Sequence, residues 1–457
     1  MQSLCADTDP ALLFPKIKME VVSKQLLETS IHASLLETRH YPDVNLTQLR
    51  LENGMTVWLK PTDYETDEIS IKLAALGGYA ALPEKDRASG ELAASIAWES
   101  GMGPYSSDQI SVLLYEHSLD FVPKIQAYSR SVEGNSRKDS LAAFFQCINM
   151  IFMQQNFNQV GLQAALRNAT NSISKIACDY DHVYEAMLLQ LNTQGVRALQ
   201  PLSLADLSQV DFAVARDFFQ QCFADPADFV IVLVGSFDIE ETKALLNRYL
   251  GVIPRKNTTL NFAPNFTASF PPGITQKEIR LTNRADSLTR ITFPWQKPMS
   301  DRKIYKMAFI CQIIEARLRR VITEQMKLSY GVDVSYEFPY FPYPNNPWIS
   351  IRFRCDMERV KDLKRLILAE LKNLQDNGVD KEEIEEIQRL EAGSNDFWLR
   401  DNFYWMSMLT NYYLWKWDPE WIYRGEKLSQ ELTPDYVNSL IRTGFTLTNY
   451  SVLTATP

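Results

Sequence analysis

From Phe229 to Val234 every position is apolar, and Gly235 ends the run. A short unbroken apolar stretch bounded by a turn residue reads as a buried strand. Behind it, Asp238 and Glu241 have the spacing of a helix-opening capping box. Leu245, Leu246, Tyr249 and Leu250 then give that helix an apolar face, and Gly251 and Pro254 stop it. Upstream the pattern changes to alternation. Ile69, Ile71 and Leu73 mark a strand that Gly77-Gly78 breaks, and Asn53-Gly54 sits between two apolar runs as a hairpin turn. Helices are expected at about 89–99 and 108–119, and a strongly apolar one over 141–153.

A similar order of elements returns in the second half of the chain. Strands are expected at 287–293, 330–338 and 348–354, with a long helix over 301–325 between the first two. Val360, Leu363, Ile367, Leu371 and Leu374 recur at helical spacing, Asn377-Gly378 ends that helix, and Asp380 and Glu383 open the next. The two halves match in element order and not in residue identity, which points to an internal duplication. Between them, Pro254, Pro264, Pro271 and Pro272 punctuate a polar stretch that resists helix and inner strand. The expected organisation is a helical N-terminal extension over 1–46, a first domain over 47–252, a linker over 253–276 and a second domain over 277–457. Within the extension, Ile17 to Leu36 reads as helix, ended by His40-Tyr41-Pro42.

Composition narrows the function. The 457 residues carry 47 basic and 56 acidic side chains, a net charge of −9. That balance argues against a nucleic-acid partner, which requires a basic footprint. Six widely spaced cysteines form no C-x-x-C pair, so thiolate zinc and dithiol redox chemistry are not expected. No stretch approaches the ~20 apolar residues of a membrane span. The start, Met1 to Pro15, has no basic residue before an apolar run, so it does not read as a signal peptide. The expected compartment is cytoplasmic as written, or periplasmic for the second half of a longer secreted product. There is no G-x-S-x-G, and Gly101-Met102-Gly103 lacks the lysine of a phosphate loop.

Several segments, in order, resemble the pitrilysin/insulinase-type zinc peptidases. Leu51-Glu52-Asn53-Gly54-Met55-Thr56-Val57 resembles the opening strand of that family, and Gly77-Gly78 the end of the next one. Val234-Gly235-Ser236-Phe237-Asp238 through Gly251-Val252-Ile253-Pro254 resembles its strand, helix and exit turn. Glu324 to Tyr330 resembles a segment of its second domain, and Leu374 to Ile384 a helix pair. Lys60-Pro61-Thr62-Asp63 looks like the second, non-catalytic half of long members. The resemblance spans about 47–457. It implies an α+β fold of two homologous domains, each a mainly antiparallel β-sheet with helices packed on one face, together forming one half of a clamshell.

The family's catalytic chemistry rests on H-x-x-E-H in a helix shortly after the double glycine. Two histidines one turn apart ligate zinc, the glutamate activates water, and a downstream glutamate completes the site. The corresponding helix here, Ser89 to Glu99, has no histidine, and none occurs between His40 and His117. Ser140 to Cys178 contains no Asp, Glu or His, so the third ligand is missing as well. The expectation is a chain without cofactor, zinc being held by a partner. Glu116-His117 imitates the end of the motif, but Leu113 stands at the first histidine position; His182 reads as a surface turn.

Tyr330 matches the tyrosine with which second-type domains of the family reach the substrate at the zinc. The accompanying arginine position falls at Thr323, with Arg319 and Arg320 one turn earlier. A strand-start tyrosine half-buried in packing is the plainer reading of Tyr330. Phe397 to Trp421 holds Trp398, Trp405, Trp415, Trp417 and Trp421, either as a core helix or as an interface wall. Two functions follow. In the first, the chain is a non-catalytic half that binds an extended peptide at a sheet edge. It completes the chamber of a catalytic peptidase subunit bearing H-x-x-E-H, with a dimer as one arrangement. In the second, it is a structural or assembly protein that kept the fold, as core subunits of some respiratory complexes did.

Overall fold

The computed structural model describes residues 35–256, 268–281, 285–295, 300–326, 331–338, 347–422 and 425–457. The described residues build two mainly antiparallel sheets. The first contains β1 (Leu35–Tyr41), β2 (Leu46–Leu51), β3 (Thr56–Pro61), β4 (Ile69–Leu76), β5 (Val122–Ile125), β6 (Ser129–Ser136) and β7 (Val230–Gly235), in the order β1-β2-β3-β7-β4-β6-β5. Only the β3–β7 pair in it is parallel. The second contains β8 (Ile274–Arg280), β9 (Ser287–Pro294), β10 (Val332–Glu337), β11 (Trp348–Cys355) and β12 (Tyr450–Thr456), in the order β10-β11-β9-β12-β8. Each sheet has its own helices on one face, as expected for an α+β pair of this kind.

On the first sheet these are α1 (Arg87–Ser100), α2 (Ser107–Glu116), α3 (Leu141–Met153), α4 (Gln159–Ile176), and, after α5 (Tyr180–Asn192) and the short α6 (Leu204–Leu207), α7 (Phe212–Cys222) and α8 (Ile239–Tyr249). The second sheet carries α9 (Asp301–Met326), α10 (Val360–Asn377), α11 (Lys381–Trp398), then α12 (Asn402–Trp415), α13 (Gly425–Gln430) and α14 (Pro434–Gly444). The caps form as their residues suggest. Asp238 Oδ1 accepts the Glu241 N–H at 2.8 Å, and the Asp380–Glu383 box is reciprocal, at 2.9 and 3.2 Å.

The opposite face of each sheet is covered by a helix that belongs to the other. Along β7, Ile231 and Leu233 point into the core of the first sheet's own helices. Val230, Val232 and Val234 point the other way, against Trp405, Met406 and Leu409 of α12. This two-sided burial is why the β7 run has no polar alternation. In return α5 lies on β12. Tyr450 and Val452 face the second core, whereas Leu453 and Ala455 face Tyr184 and Leu188. The exchange is hydrogen-bonded at both ends. Tyr184 donates to the Leu453 carbonyl at 3.0 Å, Thr62 to Asn402 Oδ1 at 2.7 Å, and Tyr413 to Thr56 at 3.1 Å. The aromatic segment is therefore core along the inner face of α12, where Trp405 is 1% exposed. At its outer end Phe397, Trp398 and Phe403 are exposed.

Two stretches differ from expectation. Residues 35–41, expected within the helical extension, form β1 and pair with β2 in antiparallel register. Leu-Leu-Glu-Thr-Arg-His suits either conformation, and the available edge of β2 decides it. The expected linker already contains the first residues of β8, whose parallel pairing with β12 begins at Ile274–Tyr450. The rest of the expected extension helix, residues 17–34, and the linker residues 257–267 lie outside the described residues.

The seam holds a buried cation. Lys60 is 4% exposed, donates to the Val44 carbonyl at 2.5 Å and lies 3.9 Å from the Trp405 ring centroid. Burial pushes its ammonium down to about 8. Below pH 8 both folded and unfolded chains carry the proton, and the cost of burying the charge is complete. Between 8 and the unfolded value near ~10.4 the folded chain releases a proton that the unfolded chain keeps, so stability rises with pH. Denaturant titrations of wild type and Lys60→Met should show wild type gaining about 1–3 kcal/mol on the variant between pH 8 and 10.5. A constant gap would remove the buried charge from the account.

Candidate functional site

The chain that leaves β4 turns sharply to start α1, and two glycines allow it. Gly77 has φ +99°, a conformation that side chains rarely adopt. Gly78 is extended, but a Cβ there would lie 1.9 Å from the Gln126 carbonyl oxygen. The β4 exit can therefore press against the β5–β6 hairpin, which sets α1 beside β5. At the start of α1 the buried Arg87 donates to the Arg197 carbonyl and to Glu91, both at 2.9 Å, and also bonds the Gln200 carbonyl. Burial pushes the Glu91 carboxyl up, and Arg87 offsets part of that rise.

A cavity of about 1090 Å³ opens between α1, β5, α4 and the start of α5. Its α1 wall presents Glu91, Leu92, Ser95, Trp98 and Glu99; α4 faces them with Ala165, Asn168, Ala169 and Ile173. Trp98 stacks on Phe121, with ring centroids 6.3 Å apart and planes 23° apart. Glu99 accepts the Asn168 amide at 2.9 Å. His182 lies at the mouth, in the first turn of α5, and holds Asp179 at 2.7 Å. It is thus exposed, as expected of a surface position, but part of the cavity rim.

The α1 wall stands where the family resemblance places the zinc-motif helix, and the side chains described there do not fit a zinc ion. Glu91 is tied to Arg87, Glu99 to Asn168, and leucine, alanine, serine and tryptophan fill the remaining positions. Zinc needs three or four converging nitrogen, sulfur or carboxylate donors. Among the described residues no group of three or more His, Cys, Asp or Glu could hold a metal ion. His117 caps the C-terminal end of α2, and Leu113 is buried beneath it. The described cysteines are free thiols; burial pushes Cys147 and Cys222 up to about 12, far from a reactive thiolate.

Tyr330 lies outside the described residues. The arginines that precede it in the sequence are engaged within the second unit. Arg319 donates to the Val332 carbonyl at 3.2 Å and pairs with Glu315 at 2.8 Å, and Arg320 pairs with Glu383 at 2.8 Å. Thr323, at the position of the family's arginine, donates to the Arg319 carbonyl at 2.9 Å.

The family described as Peptidase M16 inactive domain matches residues 209–391. A protein named zinc protease PQQL-like from Arabidopsis thaliana is 27% identical over 413 residues, covering 87% of this chain and 40% of that protein. The structure of the periplasmic protease PqqL from Escherichia coli superposes with a TM-score of 0.78 at 20% identity, over 95% of this chain and 48% of the other. Residues 209–391 thus resemble an M16 inactive domain, and the fold is that of the pitrilysin-type proteases. A structure of the first half of the same PqqL matches with a TM-score of 0.75 and 16% identity, over 92% of this chain and 93% of that one. The chain spans less than half the length of the curated relatives it matches. No helix among its described residues is long and apolar enough to cross a membrane.

Sequence reasoning located this helix but not the cavity. Glu91, Trp98, Glu99 and Pro123 carried no signal of their own, because the walls come from separate segments that only the fold brings together.

Proposed function

We propose that the chain is a non-catalytic half or subunit of a zinc peptidase assembly. It binds an extended peptide and completes the chamber of a partner whose H-x-x-E-H helix holds the zinc. The observation that carries this reading is the α1 wall. The helix, the edge strand beside it and the facing α4 enclose a peptide-sized cavity, yet the α1 side chains lining it are leucine, alanine, serine, tryptophan and two glutamates already partnered. Such a site can hold a chain and cannot activate water on a metal. The match to an inactive M16 domain supports the same reading.

Within the assembly Tyr330 is the residue proposed to reach the partner's zinc site and hydrogen-bond the reacting carbonyl. Tyr330→Phe should lower kcat of the mixed complex by up to about 100-fold, the order seen when one such donor is removed. Assembly on a sizing column should be unchanged, and an unaltered kcat would remove the role.

The reading is tested by mixing the purified chain with an H-x-x-E-H protein from the same cell. Chelator-sensitive cleavage of an unfolded protein, well above that of the partner alone, is expected. A stable complex with no gain in cleavage would favour the structural or assembly role instead.

A further inference from the structure

We infer that the cavity beside β5 recognises a peptide by its side chains, taking an apolar segment with neutral or basic flanks, and that Pro123 prevents this segment from joining the sheet as a full additional strand. This rests on the proposed peptide-binding role and adds the class of peptide and the residue that limits how it is held.

The edge argument follows from backbone parity. Among the described residues β5 is the terminal strand of its sheet and pairs only with β6. Just outside β5, the Asp120 N–H reaches the Asn135 carbonyl at 3.1 Å and the Gln126 N–H reaches the Ser129 carbonyl at 2.8 Å. Successive residues of a strand direct their backbone groups to opposite sides, so 120, 122, 124 and 126 face β6. Phe121, Pro123 and Ile125 are left facing the open edge. An incoming strand would find N–H donors at 121 and 125 but only a carbonyl at 123, since proline has no N–H. Proline in this place is a recognised protection of an exposed edge. Backbone addition here is interrupted at its centre.

Side-chain recognition remains. The cavity's volume, about 1090 Å³, lies just above the ~300–1,000 Å³ typical of ligand sites. Trp98 and Phe121 form one apolar wall, and Ala169 and Ile173 face it. Glu99, bonded to the neutral Asn168 amide, brings a negative charge to this wall, whereas Glu91 is paired with Arg87, and none of the described lining residues is lysine or arginine. An acidic peptide meets like charge there, whereas lysine or arginine beside an apolar residue is complemented.

The test uses the whole chain and fluorescence anisotropy with two labelled ten-residue peptides, one alternating leucine with lysine and one alternating leucine with glutamate. The lysine peptide should bind at least about tenfold more tightly. Ala169→Trp, which fills the cavity, should weaken it about tenfold or more, with an unchanged circular dichroism spectrum. Glu99→Lys, at a half-exposed site that does not endanger folding, should narrow the preference between the peptides. Pro123→Ala restores the missing donor and should tighten binding about three- to tenfold. Absence of binding, an Ala169→Trp variant that binds as wild type does, or a Pro123→Ala variant no tighter than wild type would each overturn the inference. None of these outcomes touches the mixing experiment, which reads cleavage by the partner and stands or falls separately.

Discussion

Trp405→Ala lowers the unfolding free energy by about 3–5 kcal/mol, the range for truncating a large buried aromatic side chain. Trp405 is 1% exposed and packs, from α12, against Val230, Val232 and Val234 of the first sheet. Its indole N–H donates to the Leu399 carbonyl at 2.9 Å, fixing the turn between α11 and α12. It also supplies the ring over which the Lys60 ammonium lies. The alanine variant therefore opens a cavity, orphans a carbonyl and leaves a buried cation less well surrounded. Because α12 and α5 each seal the sheet of the other unit, the two units should lose stability together. Calorimetry should show one cooperative transition moved to lower temperature. Two separated transitions, with the second unit unmoved, would show that the exchange of helices does not couple the units.

Arg317→Met costs about 3–5 kcal/mol at pH 7, as expected when one partner of a buried ion cluster is removed. Arg317 on α9 reaches Glu383 with two nitrogens, Nε at 2.5 Å, and Glu370 with Nη1 at 3.2 Å. The side chains of Arg317, Glu370 and Glu383 are 15%, 10% and 11% exposed. Hydrogen bonding to Glu383 is the chief reason the guanidinium is held above its usual value. Without it, Glu383 keeps Arg320 and its capping bond, whereas Glu370 is left with Asn373 alone as a donor among those that bond it here. Arg317→Lys keeps a charge but not the fork, so it should lie between wild type and the methionine variant. Urea titration measures all three, and a loss below about 1 kcal/mol for Arg317→Met would show the cluster to be solvated.

What was legible in the sequence is what is written locally. The capping boxes, the Asn53-Gly54 turn, the double glycine and the apolar run of β7 each act through neighbours a few residues apart, and each forms where expected. What was not legible depends on residues far apart in the chain. Nothing in Phe397–Trp421 says that its inner face belongs to the sheet of the first unit. β5 is four residues long and contains a proline, and β6 carries Ser129, Arg130 and Ser131 on buried positions, so neither shows apolar alternation. Arg130 is tolerated there because it pairs with Asp228 at 2.5 Å and lies over Phe229. The cavity is assembled from α1, β5, α4 and the 201–205 turn, and only tertiary structure joins them. The resemblance located the helix where zinc would be held; it could not say that Glu91 and Glu99 there would be partnered by Arg87 and Asn168.

The central claim is that this chain holds peptide but no catalytic zinc. It is tested most directly by dialysing the purified chain against excess zinc, removing free metal, and measuring bound zinc together with cleavage of an unfolded protein by the chain alone. The account predicts far less than one zinc per chain and no chelator-sensitive cleavage. One zinc per chain with cleavage that a chelator abolishes would contradict it, and would mean that metal ligands converge where the α1 wall shows leucine, serine and tryptophan.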